Sequence, residues 1–165
     1  MKLPNRKPKR LRNYDYSQNG YYFVTICTHH KECIFSNIVG QGLAPAEIQL
    51  TEFGKIANAE IIDLENRYKF VKIDKYVIMP NHIHAIIIIQ NKTAGASPCP
   101  TLSDVICSFK SITTRKCRAV NSAVKIWQTS FHDHIIRDEK DYLKIWNYID
   151  TNPLKWADDC FYTQN

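Results

Sequence analysis

The sequence predicts an α+β fold, a ferredoxin-like sandwich with an antiparallel-rich central sheet closed by a C-terminal helix. Three observations predict it. β-branched and aromatic runs alternate with amphipathic stretches in the order β-α-β-β-α-β. One run, His82–Ile89, is almost continuously apolar, as a strand buried on both faces must be. A last amphipathic stretch then precedes Pro153.

Residues 21–28 (Tyr-Tyr-Phe-Val-Thr-Ile-Cys-Thr) read as the first strand. Residues 33–50 contain Gly40, Gly42 and Pro45 and read as a loop or irregular excursion. Thr51 can cap a helix whose stripe is Phe53, Ile56, Ala57, Glu60 and Leu64. Residues 70–79 form the second strand and residues 82–90 the third, with a tight Met79-Pro80-Asn81 turn between them. Small residues and prolines over 91–100 predict a loop. Leu102, Val105, Ile106, Phe109 and Ile112 mark a second helix, with Lys110 on its flank and Arg115 and Arg118 on the far side. Residues 124–127 suit a short edge strand, and residues 131–137 another extended segment. Asp138 or Asp141 opens the last helix, which runs to about Asn152.

The 165 residues suit one domain with a real core. Residues 1–20 read as a basic flexible arm and residues 21–165 as a single domain. The first dozen residues carry Lys2, Arg6, Lys7, Lys9, Arg10 and Arg12, which suit either contact with phosphates or a solvated tail. A net charge of +6 favours a polyanion as partner. No apolar run approaches the roughly 20 residues of a membrane span, and no signal-peptide core is evident, so a cytoplasmic location is expected. The six cysteines form no C-x-x-C pair, which points to reduced, structural thiols.

Chemistry concentrates in two places. His82 and His84 lie two apart on a strand, so both imidazoles project to one face. Such a pair is either half of a metal site or two hydrogen-bonded buried histidines. On the last helix Tyr142, Ile145, Trp146 and Ile149 share one face, which makes Tyr142 a core aromatic. Tyr148 and Asn152 are one turn apart, at the edge of that face. His82, His84 and Asn152 together would make a neutral three-ligand metal site with open positions, and Tyr148 a nucleophile beside it.

The order of Met79-Pro80-Asn81-His82-Ile83-His84, Ser108-Phe109-Lys110-Ser111, Ile126-Trp127-Gln128, Phe131-His132-Asp133-His134-Ile135-Ile136-Arg137-Asp138 and Tyr148-Ile149-Asp150-Thr151-Asn152-Pro153 resembles the REP-associated tyrosine transposases, part of the single-tyrosine HUH transposase superfamily. The resemblance runs from about Tyr21 to Lys155. It implies a metal held by His82, His84 and Asn152, with Tyr148 as the catalytic nucleophile. It implies cleavage and rejoining of single-stranded or hairpin DNA through a 5′-phosphotyrosine. It implies Mg²⁺ or Mn²⁺ as cofactor, chiefly from the family, although two imidazoles and an amide also suit Zn²⁺. It implies a monomer or a homodimer. Gln128, His134 and Arg137, and with them Lys110 and Arg115, are candidate DNA contacts. Trp127 is expected in the core, and His29 and His30 on the surface. The alternatives are a domesticated protein that binds DNA hairpins without cutting them, and a zinc hydrolase of small substrates.

Overall fold

The computed structural model describes residues 11, 13–40, 46–90 and 100–163. Along the chain the elements are β1 (Gly20–Cys27), a short 3-10 turn (His29–Lys31), β2 (Ser36–Val39), β3 (Glu47–Leu50), α1 (Glu52–Arg67), β4 (Val71–Ile78), β5 (His82–Ile89), α2 (Leu102–Val120), β6 (His132–Ile136), α3 (Glu139–Thr151) and a 3-10 segment (Pro153–Asp158). Four strands form one antiparallel sheet in the order β4-β5-β1-β6. With α1 and α2 as its crossovers, this is the predicted ferredoxin-like α+β arrangement.

Strand parity separates two cores. Ile83, Ala85, Ile87 and Ile89 of β5 face α1 and α2, where they meet Ala57, Ile61, Leu64, Val105, Ile106 and Phe109. Ile86 faces the other way, toward Ile145 and Ile149 of α3, with Val77, Met79 and Trp156. Every residue of β5 is buried, which explains its unbroken apolar composition. His82 and His84 share the parity of Ile86, so they point to the α3 side.

The helix starts follow from capping. The Thr51 hydroxyl accepts from Gly54 N at 3.1 Å. Thr101 and Asp104 form a reciprocal capping box. Asp138, rather than Asp141, caps α3, its Oδ1 accepting from Asp141 N at 2.8 Å. Buried Glu60 is paired with Arg67 and with Lys116 of α2, which ties α1 to α2.

Several expectations are corrected. The stretch read as an irregular excursion contains a hairpin, β2 paired with β3 outside the main sheet. Four-residue strands are too short to show a period, and residues 41–45 lie outside those described. Residues 124–127 are not a strand: one isolated bridge joins Thr28 and Trp127. Their backbone instead serves the end of β1, with His29 N donating to Ile126 O and Gln128 N to Cys27 O. Tyr142 is half-buried at the rim, its hydroxyl donating to Asp74 at 2.7 Å, and Trp146 is 37% exposed under Lys75 Nζ. The helical period is as read, but only Ile145 and Ile149 of that face are buried. Tyr14 and Tyr16, inside the stretch read as an arm, pack on the core around Tyr22. The basic residues at positions 2–10 and 12, and most of the predicted 91–100 loop, lie outside the described residues.

No helix among the described residues is long and apolar enough to cross a membrane. The five described cysteines are free thiols.

Candidate metal and tyrosine site

His82 and His84 are 0% and 1% exposed, and their Nε2 atoms face each other at 3.0 Å. The opposite side of each ring is held. Asn81 Nδ2 donates to the carbonyls of Lys31 (3.1 Å) and Phe161 (2.8 Å), so its Oδ1 is the atom turned to His82 Nδ1, at 2.9 Å. That nitrogen therefore carries the proton, and the lone pair sits on Nε2. His84 Nδ1 lies 2.8 Å from the hydroxyl of Thr25, its cross-strand partner on β1, which can accept the same proton. Burial, and then the Lys31 charge, pushes His82 down to about 3. Burial and His82 hold His84 well below its ordinary value, against the opposing pull of Asp159. Both rings are neutral near pH 7.

α3 brings in the other two predicted residues. Tyr148 Oη lies 3.2 Å from His84 Nε2, and its ring packs edge-on against Phe23. Burial, then the charges of Asp159 and Cys160, pushes the phenol up to about 12, while the Asn152 amide opposes them. Pro153 does not unwind the helix end: Asn152 keeps helical angles (φ −57°, ψ −42°). Asn152 is 2% exposed, and its Nδ2 donates to Asp159 Oδ2 at 2.7 Å. Its Oδ1 is buried without a hydrogen-bond partner among the described residues.

Asp159 is the residue the sequence reading missed. His82, His84 and Asp159 each offer a ligand atom, all within 4.8 Å of one another, and this group can hold a metal ion. Asp159 adds a carboxylate to the two histidines, beside the neutral set of His82, His84 and Asn152 expected from the sequence. The residues present fit a divalent cation. Two facing nitrogen lone pairs, a carboxylate and an orphaned amide oxygen are donors that a cation would satisfy together. Asp159 arrives on the segment after α3, which folds back so that Phe161 lies 4.6 Å from His82, ring to ring, and Trp156 lies 5.9 Å away. This segment has no helical or strand period. Its one sequence signal is an aromatic, Trp156, shortly after a helix-ending proline.

No family model matches the chain. A protein of Haemophilus influenzae (strain Rd), described only as uncharacterized, is 34% identical over 175 aligned positions, spanning 97% of this chain and 94% of that protein. The chain belongs to the same family as that protein. A solved structure of a REP-associated tyrosine transposase bound to a REP hairpin superposes with a TM-score of 0.63 at 23% identity, over 88% of this chain and 73% of that one. A Deinococcus radiodurans R1 protein assigned as a transposase superposes with a TM-score of 0.51 at 15% identity, over 86% and 95%.

The chain has the REP-associated transposase fold. The architecture thus agrees with the motif order that first suggested it.

On this transposase fold the candidate DNA contacts separate into two groups. Lys110, Arg115 and Gln128 line one groove, on the α2 side. The Lys110 ammonium is already turned inward, donating to the carbonyls of Gln128 and Thr129. His134 and Arg137 lie elsewhere, at β6 and its end. His134 Nε2 is 2.7 Å from Asp141, and Arg137 borders a cavity with Tyr21 and Tyr142. Trp127 is half-buried against Phe35 and Phe109, as expected of a core-side residue. His29 is half-buried and His30 exposed.

Proposed function

We propose that this chain is a metal-dependent transposase-type nuclease and strand transferase acting on single-stranded or hairpin DNA, with Tyr148 as nucleophile. The observation that carries the reading is the Tyr148 hydroxyl 3.2 Å from Nε2 of His84, itself 3.0 Å from Nε2 of His82. A nucleophile stands against a pair of neutral metal-ligating rings, at the edge where solvent and substrate reach it.

His82 and His84, with Asp159 and the free oxygen of Asn152, would hold the ion. Mg²⁺ or Mn²⁺ suits the oxygen donors, and Zn²⁺ suits them less. When bound, the ion supplies Lewis-acid polarisation of the scissile phosphate and favours the phenolate. An unperturbed phenol costs about 4 kcal/mol to ionise at pH 7, and burial beside Asp159 raises that cost here. Tyr148 Oη gives its proton to solvent and bonds to phosphorus. The P–O3′ bond breaks, and the electron pair leaves on the 3′-oxygen, which ends as a hydroxyl. The 5′-phosphotyrosine conserves the diester energy, so attack by a 3′-hydroxyl rejoins the strand without ATP. Phe23 and His84 fix the ring of Tyr148, and Thr25 and Asn81 fix the two histidines.

The test is incubation of the purified chain with a labelled REP-type hairpin oligonucleotide and Mn²⁺ or Mg²⁺, followed by denaturing electrophoresis. Wild type is expected to give a covalent protein–DNA band, and Tyr148→Phe none. Absence of the band with every hairpin, alongside equal binding by both proteins, would replace this reading with that of a non-cleaving hairpin binder.

A further inference from the structure

A cavity of about 410 Å³ opens between α3 and the segment that follows it, and Tyr148 stands on its wall. α3 contributes Lys144 and Tyr148, one turn apart, and Asn152 follows a turn later. Lys155, Asp158 and Asp159 enter from the segment after the helix. The cavity therefore joins the nucleophile, two ammonium groups and the residue whose buried Oδ1 has no hydrogen-bond partner among the described residues.

Several lysines of this fold use their ammonium groups internally. Lys75 is paired with Asp150 and Lys116 with Glu60, while Lys31 donates to Cys160 O and Lys110 to Gln128 O. Lys144 and Lys155 do not: among the described residues neither ammonium has an ion pair or a hydrogen bond, and both side chains are exposed. Carboxylates are at hand in the same cavity, yet none is taken. Asp159 accepts from Asn152 Nδ2 and belongs to the metal group, and Asp158 is exposed without an ion pair to either lysine. An ammonium is a compact point charge, suited to a phosphate rather than to the edge of a base.

The two lysines bracket the nucleophile. Lys144 precedes Tyr148 by four residues, about 6 Å along the helix axis at about 1.5 Å per residue. On the far side the chain keeps turning, since Asn152 has helical angles and Lys155 N donates to Asn152 O at 3.1 Å. Lys155 thus follows Tyr148 by about two turns. A phosphate attacked by Tyr148 Oη has an ammonium on either side of it along α3. Successive phosphates of an extended strand are spaced on the same scale, so each ammonium falls to a neighbour of the phosphate under attack.

We infer that Lys144 and Lys155 are positioning residues that hold the two phosphates flanking the scissile one, so that the cleaved strand runs along α3 rather than across it. The inference rests on the transposase reading for its substrate, a phosphodiester strand. Register at the nucleophile is then set by backbone charge and not by the bases beside the cleaved link. Fixing both neighbours holds the scissile phosphorus in line with Oη.

The experiment uses the full chain with Mn²⁺ and a hairpin oligonucleotide with an unpaired flank, in which one flank link at a time is a methylphosphonate and so carries no charge. The initial rate of covalent adduct is read below saturation. Lys144→Gln and Lys155→Gln are each expected to lose about tenfold on the unmodified probe, with a salt slope lower by about 0.7, as for one single-strand phosphate contact. For wild type, a methylphosphonate at the link immediately on either side of the cleaved one should cost about as much. Lys144→Gln should then change less than about twofold at one of these links, and Lys155→Gln at the other, as in a double-mutant cycle. Lys→Arg at either position should recover the rate to within about threefold, because the charge is kept. Unchanged rates in both variants, two lysines that answer to the same link, or a methylphosphonate effect that persists in full in each variant would each overturn the inference. Binding of the same probes by Tyr148→Phe protein, read by fluorescence anisotropy, makes the two readings fail separately. The link-by-link pattern in binding, without an adduct from wild type on any hairpin, sinks the nuclease and leaves the lysines, whereas adducts without that pattern sink only the lysines.

Discussion

The side-chain oxygen of Asn81 lies 2.9 Å from Nδ1 of His82, and the amide nitrogen of the same residue is committed to two carbonyls, Lys31 O and Phe161 O. The amide orientation is therefore fixed, and with it the tautomer that turns the His82 lone pair toward His84. Losing a partner of this kind typically weakens metal affinity 10–100-fold, so Asn81→Leu should weaken Mn²⁺ binding by about that factor. Asn81→Asp keeps the acceptor but loses both donors. It should retain the Nδ1–H tautomer of His82 while loosening the segment around Phe161. Titration with Mn²⁺ monitored by electron paramagnetic resonance, and ¹⁵N spectra of the histidines, separate the two effects. Wild-type affinity in Asn81→Leu would refute the positioning role.

Asp159 acts on Tyr148 through charge. Burial is the larger cause of the raised phenol and the Asp159 carboxylate the next. In metal-free protein, Asp159→Asn should therefore lower the Tyr148 pKa from about 12 without bringing it to the ordinary 10. Ultraviolet titration of the tyrosinate band, with Tyr148→Phe as the subtraction control, measures it. The same substitution should weaken Mn²⁺ binding, since it removes a carboxylate from the His82–His84 group. A phenol pKa that stays put or rises would show that the carboxylate does not face the nucleophile.

How much was legible in the sequence follows from what each residue does locally. His82 and His84 were readable because strand parity is a property of the chain itself, and Tyr148 and Asn152 because helix spacing is too. β2 and β3 were not, since four-residue strands around Gly40 and Gly42 leave no periodic trace. Asp159 was not legible because it reaches the histidines through the fold-back of an irregular segment, a tertiary event with no local spacing. Trp146 misled for a related reason. Its place on the helix is apolar by period, yet the tertiary packing leaves it at the rim, where Lys75 Nζ covers its ring at 3.8 Å.

The buried histidines also set an acid limit on stability. His82 falls to about 3 in the fold, against 6.5 in an unfolded chain, and His84 shifts in the same direction. Below 6.5 the unfolded chain binds protons that the folded rings refuse. Stability is therefore fully present above pH 6.5 and is lost as pH falls from there toward 3. For His82 alone the loss between pH 6.5 and pH 5 is about 2 kcal/mol, at 1.36 kcal/mol per unit. Urea unfolding of metal-free protein at pH 7.5 and pH 5 should show a lower midpoint at pH 5. Equal midpoints would mean that the rings are not held neutral in the fold.

Gly54 offers a test of how the fold supports the site from a distance. It sits in the first turn of α1, where a glycine-to-alanine change ordinarily stabilises a helix by about 1 kcal/mol. Here an added Cβ would stand 1.9 Å from the Phe35 carbonyl oxygen and 2.9 Å from its carbon. That carbonyl cannot retreat freely, because it accepts from Thr51 N at 2.9 Å and from the Thr51 hydroxyl at 3.0 Å. Phe35 N in turn donates to Pro80 O at 3.0 Å, in the turn that leads into His82. Gly54→Ala should therefore reverse the usual sign and cost about 2–3 kcal/mol, the scale of an overpacked core, in urea unfolding. Because the displaced strand end is hydrogen-bonded to the Pro80 turn, Mn²⁺ affinity should fall along with stability. Ala57, one turn further on and already buried, makes the contrast sharp: the same side chain is accommodated there and excluded at 54. An alanine variant at 54 that unfolds at or above the wild-type midpoint would mean that α1 does not abut the Phe35 backbone.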